Sequence, residues 1–281
     1  IQSSDLTTIH HLAKQRPPGL TSLSQSKPVL QSMTLSSLHS ASSEGVSRND
    51  ASYFFVLENT QTKTLHGTAR ILAAVGTDSH PIVGYELCKS GQGNDISNYS
   101  LRPALLTEDS WTVGPPSELA TLYLDPNQRA MGLGKLLSFS RFMYMGAHAQ
   151  NFGSQLLAEM RGISNADGKS AFYTFLNETW FKMDYRDANQ ALLENPRALY
   201  ESLPQEKTLI NKLPKDVQAA VAQVHPKTAA AYRLLQKIGL QPIPYIELLD
   251  GGPKLMGDVS QVHPITEQKE VLSIQGESYG S

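Results

Sequence analysis

Arg129, Gly132 and Gly134 form an RxxGxG spacing in "NQRAMGLGKLL", residues 127 to 137, a stretch that carries no acidic side chain. Glycine lacks a Cβ, so the backbone at these positions can take a positive φ and approach a ligand closely. A turn of this kind at the start of a helix aims unpaired N–H groups and the positive end of a helix dipole at one spot, which suits an anion such as a phosphate. Two familiar phosphate loops are excluded by the residues themselves. Arg129 stands where the GxxxxGK[ST] loop needs its first glycine and Leu136 where it needs a hydroxyl, while Leu137 occupies the third glycine of GxGxxG.

Two elements must position that turn. Upstream, "SELATLYLD" alternates Leu119, Thr121 and Tyr123 with Ala120, Leu122 and Leu124, the period of a strand apolar on both faces. Downstream, Leu133, Leu136, Leu137, Ser140, Met143 and Ala147 recur at helical spacing. In this strand, turn and helix setting the RxxGxG spacing resembles the pyrophosphate-binding pattern of the GCN5-related N-acyltransferases, which bind acyl-coenzyme A. The resemblance implies that Arg129, Gly132, Leu133, Gly134 and Lys135 surround a coenzyme A diphosphate.

The remaining pattern is mixed α/β. "SSDLTTIHHLAKQ" predicts a helix with Leu6, Ile9 and Leu12 on one face, and Val29, Leu30, Met33 and Leu38 give a weaker helical stripe in a serine-rich region after Pro28. "SYFFVLEN", "LHGTARILAAVG" and "PIVGYELC" predict three strands, the first two joined by a polar turn at Asn59 to Lys63. Residues 90 to 116 predict a long excursion with one short edge strand at Ala104 to Leu106. A strand at "QLLAEMRG" and a helix at "KSAFYTFLNETWF" follow, then a polar stretch around "ENPRALYESLPQEK". "PKDVQAAVAQVH" predicts a helix ended by Pro226, "KTAAAYRLLQKIG" a helix with Gly239 at its C-cap, and "PYIELLD" a last strand before "GGP". Residues 258–281 are expected to form a polar, patternless tail.

With 281 residues, 40% hydrophobic and 18% charged, the chain has the composition of a soluble globular protein with ample core. A net charge of −2 supplies no general field for nucleic acid or acidic membranes. The single cysteine, Cys88, cannot form an internal disulfide, and no apolar run nears the roughly 20 residues that span a bilayer. A reducing cytoplasm fits, and Cys88 is expected to be a buried structural thiol. None of the histidines other than His225 has a carboxylate or histidine partner at metal spacing, so no metal is implied.

A later helix should complete a coenzyme A site. Acyltransferases of the superfamily often carry NxxAxxLYxxxGF there, and in "TAAAYRLLQKIGL" Ala231, Leu234 and Gly239 fall on that pattern while Thr228, Leu235 and Leu240 depart from it. Leu235 takes the place of a tyrosine that in many relatives protonates the departing thiolate, so another donor is wanted. The blocks "PPGLTSL", "FVLEN", "SELATLYLDP", "SFSRFMYMGA", "AEMRGISNADGKSAFY", "WFKMDY", "QVHPKTAAAYRLL" and "LLDGGP" together resemble the bacterial arginine N-succinyltransferases, in order and at similar separations, over residues 1–257.

That resemblance implies one acyl-CoA N-acyltransferase domain at 1–257, a central mixed, mostly antiparallel twisted sheet flanked by helices, and transfer of a succinyl group from succinyl-CoA to the α-amine of L-arginine. The family's proton-donor histidine falls on His225 and its succinyl-CoA contact on Leu122. Imidazole titrates near neutral pH, which suits proton donation. Succinyl-CoA is then a co-substrate, with no tightly bound cofactor. "SAFY" stands where the family more usually has "SPFW", and 192–211 lacks its "AELMP" and "HPIY" pieces, which leaves ornithine or another cationic amine open as acceptor, as it leaves open a silent coenzyme A-binding partner subunit. Glu118 and Glu159, at strand starts, are candidate bases for the acceptor amine. Arg161 could grip a substrate carboxylate and Thr21 and Ser22 could hydrogen-bond one. Assembly as a homo-oligomer and pairing with a related subunit are both compatible.

Overall fold

Apolar periodicity and capping residues divide the chain into short elements. The computed structural model describes residues 1–16, 19–42, 46–129, 132–165 and 169–266. In chain order the elements are α1 (Leu6–Gln15), α2 (Lys27–Ser42), β1 (Ser52–Glu58), β2 (Leu65–Leu72), β3 (Ile82–Lys89), β4 (Tyr99–Leu106), β5 (Ser117–Leu124) and α3 (Leu133–Ala147). Then come β6 (Gln155–Glu159), α4 (Ala171–Leu176), α5 (Tyr185–Glu194), α6 (Pro196–Glu201), β7 (Thr208–Leu209), α7 (Lys215–Ala220), α8 (Ala229–Lys237), β8 (Gln241–Glu247) and β9 (Pro253–Asp258). The class is the expected mixed α/β, and the strands pair antiparallel in β1–β2, β2–β5, β3–β4, β3–β8, β4–β7 and β8–β9.

The chain forms two compact units. The first holds Ile1–Val75, Val113–Leu157 and the described residues from Gly257 on, with strands in the order β1-β2-β5-β6. Ile9, Leu12, Leu23, Leu30, Phe54 and Tyr123 make one of its cores. The serine-rich sequence of α2 has a structural use here. Strand β1 is an edge, and its N–H groups at Phe54 and Ser52 donate to Ser37 Oγ at 2.7 Å and Ser40 Oγ at 3.1 Å. An unpaired buried N–H costs about 1–3 kcal/mol, so these serines replace a missing neighbouring strand.

The second unit holds Gly76–Thr112 and Ala158–Met256, with strand order β9-β8-β3-β4-β7 and a core that includes Tyr85, Leu101, Phe172, Leu176, Ile210, Val221, Ile246 and Leu248. Strand β4 corrects the sequence reading: it runs over eight residues rather than three and is flanked by β3 and β7, so it is no edge. Its Pro103 and exposed Arg102 interrupt the apolar alternation that would have revealed it. The polar stretch after Glu194 is likewise helical in part. Asp184 caps α5 by accepting from Arg186 N and Asp187 N, and Asn195 caps α6 by accepting from Ala198 N; each helix buries one residue, Ala188 or Leu199, too sparse a stripe to show as periodicity.

Helix α7 stops at Ala220, well before Pro226, because Ala222 turns to φ +57 and donates its N–H to Gly251 O at 2.9 Å. Gly239 does follow α8 with φ +118. Beyond the strand expected to be the last, a further strand, β9, begins at the proline of "GGP". Cys88 is half-buried rather than buried. Within the expected tail, Val262 and Ile265 are buried, and 267–281 lie outside the described residues. Among the described residues no helix is long and apolar enough to cross a membrane.

The β8–β9 turn brings two backbones together. A Cβ on Gly252 would stand 1.9 Å from Met160 O and 2.6 Å from Gly162 N. Gly252→Ala is therefore expected to lower unfolding stability by about 1–3 kcal/mol, as overpacking does; a denaturant midpoint equal to that of the unsubstituted protein would contradict this contact.

Candidate active site

In the first unit the site elements are β5 and the turn into α3. The register of β5 against β2 slips: Thr68 faces Tyr123 and Arg70 faces Ala120, leaving Thr121 and Leu122 opposite Ala69 alone. This is a β-bulge, which unpairs one residue and re-aims the strand. Thr121 sits at φ +58, uncommon for a β-branched residue. Three bonds hold it. Its N–H donates to Ser22 Oγ at 3.1 Å, its hydroxyl donates to Ser22 O at 3.2 Å, and Thr68 donates its hydroxyl to Thr121 O at 3.2 Å. Ser22, read from sequence as a substrate contact, is thus also a fastening for the bulge. Thr21 is half-buried beside it, and Leu122 lies in the bulge itself. Glu118 lies on β5 across from Leu72, and its charge opposes the burial that holds the Arg70 guanidinium down to about 10.

After β5, a turn at Pro126–Gln128 leads to exposed Arg129, and Gly132 stands at the N-cap of α3 with φ +76. No side chain caps this helix, and the first helical bond is Leu136 N to Gly132 O at 3.0 Å. The N–H groups of Leu133, Gly134 and Lys135 therefore have no partner within the helix, the arrangement that an anion satisfies. A Cβ on Gly132 would meet nothing within 4 Å, so what reserves the position for glycine is its left-handed backbone. Lys135 extends with its ammonium 5.2 Å from the Phe139 ring centre.

The second unit brings together the other candidates: Glu159, Arg161 and His225. Asp250 organises them. Its Oδ2 accepts from Gly162 N at 2.8 Å and its Oδ1 from Gly252 N at 2.9 Å. Gly162 bridges to Val224, and His225 N donates to Arg161 O at 2.8 Å, so the turn fixes the strand segment that fixes the histidine. His225 is buried and caps the turn Pro226–Thr228, with its Nδ1 accepting from Lys227 N at 3.1 Å. A backbone N–H can only donate, so Nδ1 carries a lone pair and Nε2 carries the ring proton. Burial, then the charges of Arg161 and Lys227, push the imidazole pKa down, and the ring is neutral with one N–H to offer.

Arg161 is half-buried and donates to Ser164 Oγ at 2.7 Å; burial lowers its pKa while Asp250 opposes the shift. No described carboxylate forms a salt bridge with it. Glu159 ends β6 rather than starting a strand, because the strand already begins at Gln155, and it is engaged by the buried ammonium of Lys254. Sequence reasoning missed Lys254, Glu247 and Asp250; the Asp-Gly-Gly run announced a tight turn but not the acid cluster around it. Among the described residues no group of three or more His, Cys, Asp or Glu could hold a metal ion.

Glu247 Oε2 accepts from Leu249 N and Asp250 N, both at 2.6 Å. Burial first, then the charges of Asp250 and Glu159, raise the Glu247 pKa well above the usual carboxylate range. The folded chain thus keeps a proton that the unfolded chain releases near about pH 4.3, and stability falls as pH rises from there toward the folded pKa. Glu247→Gln removes this titration and is expected to flatten the fall in Tm as pH rises above about 4.3; an unaltered slope would show that the group is not the source.

Known proteins resemble this chain. The family described as "Arginine N-succinyltransferase beta subunit" matches residues 1–264. Proteins named arginine N-succinyltransferase from Shigella flexneri and Escherichia coli are each 32% identical over 279 residues, covering 99% of this chain and 80% of theirs. The solved structure of arginine/ornithine succinyltransferase subunit AI from Pseudomonas aeruginosa superposes with a TM-score of 0.80 at 25% identity, over 95% of this chain and 78% of that one. With the mixed, mostly antiparallel α/β fold expected for a GCN5-related N-acyltransferase and a match across nearly its whole length, the chain belongs to the arginine N-succinyltransferase family.

Proposed function

We propose that this chain transfers the succinyl group of succinyl-CoA to the α-amine of L-arginine. The observation that carries the reading is the bulged strand β5 running into the uncapped, glycine-led start of α3, in a chain 32% identical to proteins named arginine N-succinyltransferase. The N–H groups of Leu133, Gly134 and Lys135, with Gly132 and the side chains of Arg129 and Lys135, take the diphosphate of succinyl-CoA. Leu122 offers backbone groups to the pantetheine amides as a neighbouring strand would. Succinyl-CoA is a co-substrate, not a resident cofactor, and residues 1–257 supply the acyl-CoA N-acyltransferase functions.

The acceptor amine attacks the thioester carbon directly in a ternary complex, so holding the two substrates together lowers the entropic barrier. A C–N bond forms, the C–S bond breaks, and the thiolate must acquire the proton that the nitrogen sheds. Neutral His225 turns Nε2–H, its one ring donor, to that sulfur and stabilises the developing thiolate by a hydrogen bond, while the proton that neutralises the thiolate is the one the attacking nitrogen sheds. Glu118, near Arg70, and Glu159, paired with Lys254, are the carboxylate candidates for taking the proton of the α-ammonium, with water as the alternative. Arg161 grips a substrate carboxylate, and Thr21 and Ser22 hydrogen-bond one. The reaction belongs in the cytoplasm, and the chain pairs with a related subunit, as the words "subunit AI" and "beta subunit" in the names of its relatives suggest. Ornithine is a second acceptor reading, favoured by the Pseudomonas relative being named for both amino acids.

Thiol release from succinyl-CoA, measured against a panel of amines, is expected to be fastest with arginine; clear preference for ornithine would replace the acceptor, and no release with any amine would end the enzymatic reading. His225→Ala should lower kcat by about 10²- to 10⁴-fold with little change in succinyl-CoA affinity, since a hydrogen bond to the developing thiolate is made mainly in the transition state. Unchanged turnover would remove His225 from the mechanism. Gly132→Val, a β-branched residue forced to positive φ at the cradle, should weaken succinyl-CoA binding about tenfold or more; undiminished affinity would show that the diphosphate lies elsewhere.

A further inference from the structure

Arg141 lies nine residues beyond Gly132 on α3 and is 2% exposed. Its guanidinium meets no carboxylate among the described residues. Nη2 donates to Ser138 Oγ at 3.0 Å, Nε to Ser138 O at 3.4 Å, and Nη1 to Ala120 O at 3.5 Å. Burial alone lowers its pKa, to about 9, with no acid opposing the shift. The contrast within the same unit is Arg70, whose buried charge has Glu118 to offset it. An ion buried without a counter-charge is strongly unfavourable, and an apolar side chain of similar volume would fill the same space without that cost.

What the guanidinium reaches is informative. Ala120 immediately precedes Thr121, the left-handed residue of the β5 bulge, and the Thr121 carbonyl is itself held by the Thr68 hydroxyl. Two consecutive carbonyls of β5 are thus held by side-chain donors, at the place where the register with β2 slips. Arg141 is the one of the two that comes from α3, the helix whose first turn forms the cradle, and its planar fork lets it bond its own helix and the strand at once. We propose that Arg141 is a positioning residue for the co-substrate strand: its buried guanidinium pins the Ala120 carbonyl and so keeps the bulge at Thr121 and Leu122 shaped for the thioester arm of succinyl-CoA. This inference rests on the reading of β5 as the succinyl-CoA strand.

The test uses Arg141→Met, which removes charge and fork, and Arg141→Lys, which keeps the charge and loses the fork. Calorimetric titration with succinyl-CoA is expected to give a Kd about tenfold higher for both, with the KM for the amine acceptor unchanged and the Tm of the methionine variant at or above that of the parent. Thr68→Val should also raise Kd, and the Thr68→Val, Arg141→Met pair should raise it by less than the product of the two, because both act on one bulge. Unchanged Kd in the single Arg141 variants overturns the proposal, as does normal binding by the lysine variant alone or a loss of affinity that tracks a loss of Tm. Should the methionine variant not fold, the lysine variant decides by the same criterion. Parent protein that binds no succinyl-CoA overturns the proposed function and this inference together; parent binding with unaffected variants overturns this inference only.

Discussion

Thr121 at φ +58 is the constraint on which the first unit's site depends. A β-branched residue held in the left-handed region costs about 1–3 kcal/mol, and such a conformation persists only where its surroundings over-determine it. Here the surroundings are explicit: Ser22 receives the N–H and the hydroxyl, and Thr68 donates to the carbonyl. The result places two residues of β5 opposite one of β2, with side chains in place of the regular ladder as partners of the Ala120 and Thr121 backbone groups. A few residues on, Gly132 repeats the device with a residue that adopts positive φ at no steric cost, and α3 begins without a side-chain cap. The uncapped start of α3 is the unmet hydrogen-bonding surface, and the bulge in β5 sets how the chain enters it.

In the second unit the ordering agent is a turn. Glu247 and Asp250 bind the N–H groups of their own loop and of Gly162, and through Gly162 and Arg161 the loop sets the position of His225. The same backbone geometry chooses the histidine tautomer. Since Lys227 N–H occupies Nδ1, an imidazolium would set N–H against N–H, and two neighbouring cations disfavour the charge further. His225 thereby keeps one donor with a defined direction, which a freely rotating surface histidine would not have.

Much of this was legible in the sequence, and the failures have physical reasons. Strong alternation exposed β5, and the RxxGxG spacing exposed the cradle, because each depends on local residue types. The bulge was hidden, since "SELATLYLD" alternates evenly and only the partner strand reveals that two residues face one. Ser22 could be named as polar but not as a fastening, because its bonds cross 99 positions of sequence. Strand β4 vanished behind Pro103 and Arg102, and α5 and α6 behind their mostly exposed faces. His225 was reached through a family resemblance and a missing tyrosine rather than through periodicity, while the acids around it were invisible because Asp250 and Glu247 act on backbone N–H groups that no side-chain pattern records.

The central claim is that the start of α3 and the bulge of β5 hold one molecule of succinyl-CoA between them. A crystal structure of the chain with bound succinyl-CoA tests it most directly. The account predicts diphosphate oxygens on the N–H groups of Leu133, Gly134 and Lys135 and pantetheine amides paired with the backbone around Leu122. Density for the co-substrate at another place, with those N–H groups left to water, would contradict it.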